Sequence, residues 1–256
     1  MIQSDNATIQ NVVLDYAAPK NTEAYGIHGN GKKSNYISAT RLINNTICFV
    51  ANNAQGNDNF GIWLYYTNNT LLDGNTLISS FPLRTVDHDS GLMIGDSVAG
   101  IAVLNTENLN ITNNYVFVDV NRATLTADPT LDGIIIKNGK NILYANNTFE
   151  MEDFATAIGV PNYLYGLDIY NVDNMLIKSN NFSVKTQGGV YKAGTAYPIQ
   201  LTGPLSNVTI DDNDIYSISN GPNLGIYSTN YGGSTSLKLV NNRINVTGLA
   251  GEDSWA

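Results

Sequence analysis

The chain has 256 residues, a formal net charge of -9, only 14% charged side chains and 37 asparagines. That acidity excludes nucleic-acid binding, which needs a basic stripe, and no apolar run approaches the roughly 18 residues of a membrane span. The single cysteine, Cys48, excludes an intrachain disulfide, and its setting in Ile47-Cys48-Phe49-Val50 predicts a buried apolar role.

The chain is organised by a repeat. An apolar residue, two free positions, Asn, one free position and a second apolar residue recur seven times. The copies are Leu42/Asn45/Ile47, Leu72/Asn75/Leu77, Ile111/Asn114/Val116, Tyr144/Asn147/Phe149, Ile177/Asn180/Phe182, Ile210/Asn213/Ile215 and Leu239/Asn242/Ile244. Their Asn-to-Asn steps are 30, 39, 33, 33, 33 and 29. In five copies a further Asn stands six positions upstream, at Asn69, Asn108, Asn141, Asn174 and Asn207. A period of this size marks stacked supersecondary units.

Before each core stands Gly with apolar residues at alternate positions after it, as in Gly61-Ile62-Trp63-Leu64, Gly133-Ile134-Ile135-Ile136 and Gly166-Leu167-Asp168-Ile169. Each unit therefore contains three short stretches of period-2 alternation; in one they are 133–137, 141–145 and 148–151. Three strands per unit, repeated with unchanged polarity, cannot form hairpins. They can coil, each strand pairing in parallel with its counterpart one turn on. The expected fold is all-β, one domain over 1–256: a parallel β-helix of about eight turns of three strands in three sheets. Ile111, Ile134, Ile136, Leu167, Ile169, Ile177, Ile199, Leu201, Ile210, Ile226 and Leu239 are expected inside.

The seven core asparagines, Asn45, Asn75, Asn114, Asn147, Asn180, Asn213 and Asn242, fall at one bend of successive turns. They are expected to stack their amides as a ladder, and Asn tolerates the left-handed backbone of tight bends. Longer connections occur at 28–38, 79–99, 119–131, 152–165 and 185–197, the last three on one edge of the coil. Neither Met1-Ile2 nor residues 248–256 reads as a polar cap. The chain is therefore expected to be a piece of a longer repeat protein whose ends associate.

The Gly-apolar strand, the Asn core and the period near 33 resemble the right-handed parallel β-helix repeats of the pectate-lyase-like superfamily. Within it, the Asn/Thr-rich texture of Leu42–Ile47 and Leu143–Phe149 looks most like adhesin-like surface proteins of methanogenic archaea. The resemblance implies right-handed coiling and an extracellular, cell-surface setting. It leaves function open, because lyases, hydrolases, epimerases and adhesins share the coil. Eight Asn-x-Ser/Thr sequons, at Asn6, Asn44, Asn68, Asn110, Asn146, Asn181, Asn207 and Asn245, fit either surface glycosylation or the abundance of Asn and Thr.

In related enzymes catalysis occupies the outside of the first strand. Here the outward positions are His28, Trp63, Ala102, Ile135, Asp168, Gln200 and Tyr227, then Asn30, Tyr65, Leu104, Lys137, Tyr170, Thr202 and Thr229. A glycosidase needs two carboxyl groups roughly 5–9.5 Å apart, and this set offers Asp168 alone. Enzyme chemistry would require Asp128, Asp132, Glu152 or Asp153 to approach it. Asp87-His88-Asp89 and Asp211-Asp212-Asn213-Asp214 read as solvated turns before metal sites, so no catalytic residue, metal or cofactor is assigned. The expectation is a noncatalytic surface module, adhesin-like or a stalk, binding a glycan or a surface protein through Trp63, Tyr65, Lys137, Asp168 and Tyr170. Its competitor is a carbohydrate-active enzyme on the same coil. For the face itself, the competing reading is a second small core outside the coil.

Overall fold

The computed structural model describes residues 1–18, 23–52, 59–83, 98–119, 130–153, 163–186, 194–219, 221–229, 236–248 and 254–255. Their regular structure is all strand. The strands form a parallel β-solenoid of two sheets, one of thirteen strands and one of eight. In the eight-stranded sheet the order follows the sequence, each strand joined to the next by a crossover through the wide sheet, from Val13–Ala18 through Thr46–Asn52 to Arg243–Gly248.

The repeat sets the register. Ile134 lies against Leu167 and Leu167 against Ile199 in the wide sheet. Val116 lies against Phe149 and Phe149 against Phe182 in the narrow one. Like positions therefore stack into columns that fill the coil. Ile111, Ile134, Ile136, Leu167, Ile169, Ile177, Ile199, Leu201 and Ile210 have no accessible surface. Each such side chain contributes roughly 1.5–3 kcal/mol by leaving water.

The glycine that opens each first strand also has a steric cause. A Cβ on Gly133 would fall 2.7 Å from the Gly166 carbonyl oxygen and 2.0 Å from Phe149 Cζ. The same crowding by the next turn's carbonyl recurs at Gly26, Gly61, Gly100 and Gly166. At these glycines the missing Cβ lets consecutive turns close the corner, and Pro198 takes the same place in one turn.

Four expectations need correction. The first and second strands of a unit are not separate. They run continuously in five turns, Asn59–Asp73, Val98–Thr112, Thr130–Ala145, Tyr163–Lys178 and Thr195–Asp211, so two sheets replace three. The cause is a corner of two left-handed residues: Asn138 and Asn141 (φ 55 and 55), Asn171 and Asn174 (φ 52 and 60), with equivalents in the other turns. Pairing steps across them from Lys137 to Gly139 and from Lys140 to Ile142, so the chain bends without losing its ladder. Second, those five are the turns with a continuous long strand, fewer than the expected eight or so; the turns on either side are built from shorter strands. Third, Leu239 is 54% exposed and Ile226 half-buried, because both lie toward the last described turn and lack a full turn stacked beyond them. Fourth, Cys48 is half-buried: it alternates outward between Ile47 and Phe49, which fill the coil.

Candidate functional site

The core asparagines form the predicted ladder. Asn147 Oδ1 accepts from the Asn114 backbone N–H at 2.9 Å and from Asn114 Nδ2 at 3.0 Å. Asn147 Nδ2 donates to Asn180 Oδ1 at 3.1 Å and to the Ile111 carbonyl at 2.9 Å. The same pattern runs from Asn45 through Asn75, Asn114, Asn147, Asn180 and Asn213 to Asn242. The first six are buried and Asn242, on the last turn, is half-buried. The left-handed residue at this bend is the one before the ladder position: Asn44, Gly74, Asn113, Asn146, Ser179, Asp212 and Asn241. The ladder asparagine thus supplies hydrogen bonds while its neighbour supplies the turn.

On the outside of the wide sheet, three columns follow from the register. Tyr25 pairs with Phe60 and Phe60 with Ala99; farther along, Asp132 pairs with Tyr165 and Tyr165 with Tyr197. Beside them run His28, Trp63, Ala102, Ile135, Asp168, Gln200 and Tyr227. Lys137, Tyr170 and Thr202 continue from Tyr65 and Leu104 in the third column.

This face is packed. Phe60, Ala99, Ala102, Leu104 and Ile135 form a second apolar cluster, with Tyr25, Trp63 and Tyr65 against it. Trp63 sits 4.6 Å from Phe60 and 6.1 Å from Tyr65, centroid to centroid. Two of the sequence-predicted contacts, Trp63 and Tyr65, are therefore half-buried members of an aromatic layer.

The other three lie toward the C-terminal turns. Asp168 is only 7% exposed, and Lys137 Nζ stands 3.9 Å from its Oδ2. Burial pushes the Asp168 carboxyl up from the usual carboxylate range, and the Lys137 charge opposes this without cancelling it. Tyr170 is half-buried in the neighbouring column, against Gly203.

Asp132, which the sequence left open, does join this neighbourhood. Its charge and that of Asp168 both act on Tyr165, whose phenol is pushed up first by burial and then by these carboxylates. Tyr165, Tyr197 and Tyr227 follow one another at 5.2 and 5.1 Å. Sequence reasoning placed Tyr227 outward but missed Tyr165 and Tyr197, whose signal was their place immediately before Gly166 and Pro198. Of the remaining carboxylates, Glu152 is ion-paired to Lys185 at 2.8 Å on the narrow sheet, where Asp153 also lies. Asp128 and Asp87-His88-Asp89 lie outside the described residues.

The Asp211–Asp214 run is distributed among other partners. Asp211 meets Lys178 at 3.5 Å, Asp212 accepts from Ser179 Oγ at 2.9 Å, and Asp214 holds Arg243 through both oxygens at 2.7 Å. Among the described residues, no three His, Cys, Asp or Glu side chains converge in a metal-binding arrangement.

The corner between the two halves of each long strand is the exposed counterpart of this packed face. Asn171 Nδ2 donates to Asn138 Oδ1 at 2.7 Å and Asn138 Nδ2 to Asn105 Oδ1 at 3.2 Å. A parallel row runs Asn207 to Asn174, Asn141, Asn108 and Asn68 at 2.8–3.0 Å. Between the rows lies a groove of about 330 Å³ floored by Thr106, Gly139, Val172 and Leu205.

No protein-family model matches the chain, and comparison with characterised proteins and with solved structures found none similar to it.

Proposed function

We propose that the chain is a noncatalytic module of a cell-surface protein, a stalk or adhesin-like segment that holds a contact surface for a glycan or a surface protein. The observation that carries the reading is the closure of the outer face. Asp132 and Asp168 are 5% and 7% exposed, and Ile135 beside them has no accessible surface. A polymeric substrate has no access to carboxylates held this way. The rest of the molecule is given over to stacking: apolar columns, glycine corners and three rows of amides. The adhesin-like texture of the sequence, and the extracellular setting it implies, agree with this. So do the exposed sequon positions Asn6, Asn44, Asn110, Asn146, Asn181, Asn207 and Asn245.

One observation favours a carbohydrate-active enzyme instead. Two carboxylates on neighbouring turns flank Tyr165, with Lys137 next to Asp168. Incubation with neutral and uronate polysaccharides, read for new reducing ends and unsaturated products, separates the two. No product is expected. Turnover that disappears in Asp168→Asn would establish the enzyme and overturn the proposal.

A further inference from the structure

The first left-handed position of the exposed corner holds Asn105, Asn138, Asn171 and Gly203 in four successive turns, and Tyr66 in the turn before them. Asn and Gly are the residues that tolerate this backbone; a bulky aromatic there, at φ 51, is strained. Strain of this kind persists where the surroundings enforce it, and it gathers at functional sites. Core packing does not account for Tyr66. It is half-buried, and its ring neighbours are Tyr65 at 4.3 Å and Tyr36 at 5.5 Å. Tyr36 comes from outside the repeat, between the strands Ala24–Asn30 and Ile37–Ser38.

Tyr36 also lines the groove of the corner, where burial first and the Glu107 charge next disfavour its phenolate. The same Tyr36 lines a second, polar hollow of about 520 Å³ formed with Gln3, Asp5, Asn30 and Lys32. Tyr36 therefore stands where the two hollows meet, with the Tyr66 ring packed against it. Along the corner groove, the exposed wall runs Glu107, Lys140, Asp173 in adjacent turns, ending at half-buried Ser206. The charges alternate in sign and nearly cancel. Such a wall repels a polyanion at two positions and a polycation at one, and offers neither a continuous partner.

The opposite wall presents the amides of Asn138 and Asn171. Their ladder bonds run along the coil axis, leaving the second amide hydrogen and the second carbonyl lone pair for a ligand. Donors and acceptors thus repeat at the turn spacing, about 4.8 Å. An extended polymer of neutral sugar rings has this character: a ring face for the tyrosines, then hydroxyls that both donate and accept at a similar rise. An extended peptide would instead seek unpaired backbone groups, and the backbone beside this groove is already paired from turn to turn.

We propose that this corner groove binds an extended neutral polysaccharide along the coil axis. One ring stacks on Tyr36, which Tyr66 backs, and the following rings are held by Asn138, Lys140, Asn171 and Asp173. The inference rests on the reading of the chain as a noncatalytic module and gives that module its contact surface and ligand class.

The test is calorimetric titration of the full chain with cellohexaose, mannohexaose and chitohexaose, with hexagalacturonate as the anionic comparison. Binding of at least one neutral hexasaccharide is expected, with hexagalacturonate weaker. Tyr66→Asn restores the residue type of the neighbouring turns. It should weaken binding by about tenfold or more through loss of the ring that backs Tyr36, while the melting temperature stays level or rises. Tyr36→Ala should weaken binding in the same way, and Trp63→Ala should leave the affinity of the folded protein unchanged. Unchanged affinity in Tyr66→Asn, or binding of no neutral hexasaccharide, overturns the inference. If none binds and none is cleaved, the noncatalytic reading stands and only this site falls. If products appear, the parent reading fails as well.

Discussion

Asn147→Ala cuts the ladder at its centre. The substitution removes the acceptor of the buried Asn114 backbone N–H and one donor to the Ile111 carbonyl, at a bend where Asn114 and Asn147 are only 3% and 2% exposed. Leaving a buried polar group unsatisfied costs about 1–3 kcal/mol, so two such groups predict a loss of about 2–6 kcal/mol. For a chain of this size each kcal/mol moves the melting temperature by about 2–4 °C, so the fall should reach at least 4 °C by calorimetry. Two controls fix the interpretation. Asn242→Ala acts at the half-buried last step and should cost less than half as much. Asn110→Ala, exposed and outside the ladder, should stay within about 0.5 kcal/mol. Asn147→Asp sharpens the test. A carboxylate there can accept but not donate, and it faces the Asn180 oxygen and the Ile111 carbonyl. It should be destabilised most near neutral pH and recover as the pH falls and the carboxyl takes a proton. A melting temperature for Asn147→Ala within 1 °C of the parent, or an Asn242→Ala loss as large as the central one, would refute the ladder as a source of stability.

The remaining predictions concern the outer face and the glycine corner. Asp168 is held above the ordinary carboxylate value of 3.8, so the native state keeps its proton where the unfolded chain has released it. Stability should therefore fall as pH rises from that value through the raised one. Asp168→Asn should flatten this dependence and melt no lower than the parent at neutral pH; parallel melting-versus-pH curves for the two proteins would contradict the argument. Trp63→Ala should lower stability by about 2 kcal/mol, short of the roughly 3–5 kcal/mol of a fully buried aromatic, as denaturant titration would show. Gly133→Ala drives a methyl into Phe149 and the Gly166 carbonyl. It should cost at least about 2 kcal/mol, and an equally stable variant would show that the corner can open.

Much of the coil was legible because its causes are periodic. Ile134, Leu167 and Ile199 alternate with outward residues and recur at the repeat, so both their burial and their register could be read. Asn147 was legible as a ladder residue for the same reason. The continuous strand was not. The upstream asparagines Asn141 and Asn174 were visible, but their partners Asn138 and Asn171 were not recognised as the other half of one corner. A pair of left-handed residues three apart bends a strand without ending it, and alternation alone cannot distinguish that from a break. The outer face was legible only in part. Alternation marks Ile135 and Asp168 as pointing away from the coil but carries no information on what lies against them. Tyr66 was hidden in another way: its oddity appears only once its position is aligned with Asn105 and Asn138 in space.

The amide rows have a direction. In the buried row each Nδ2 points toward the next turn in sequence, from Asn45 to Asn75 and onward to Asn242. In both exposed rows each Nδ2 points back, from Asn207 to Asn174 and from Asn171 to Asn138. An α-helix aligns its peptide dipoles and shows a partial charge at each end. Here one row runs forward and two run back along the same axis, so their amide dipoles offset in part. A coil that lengthens turn by turn therefore builds less field along itself than three rows of one direction would give.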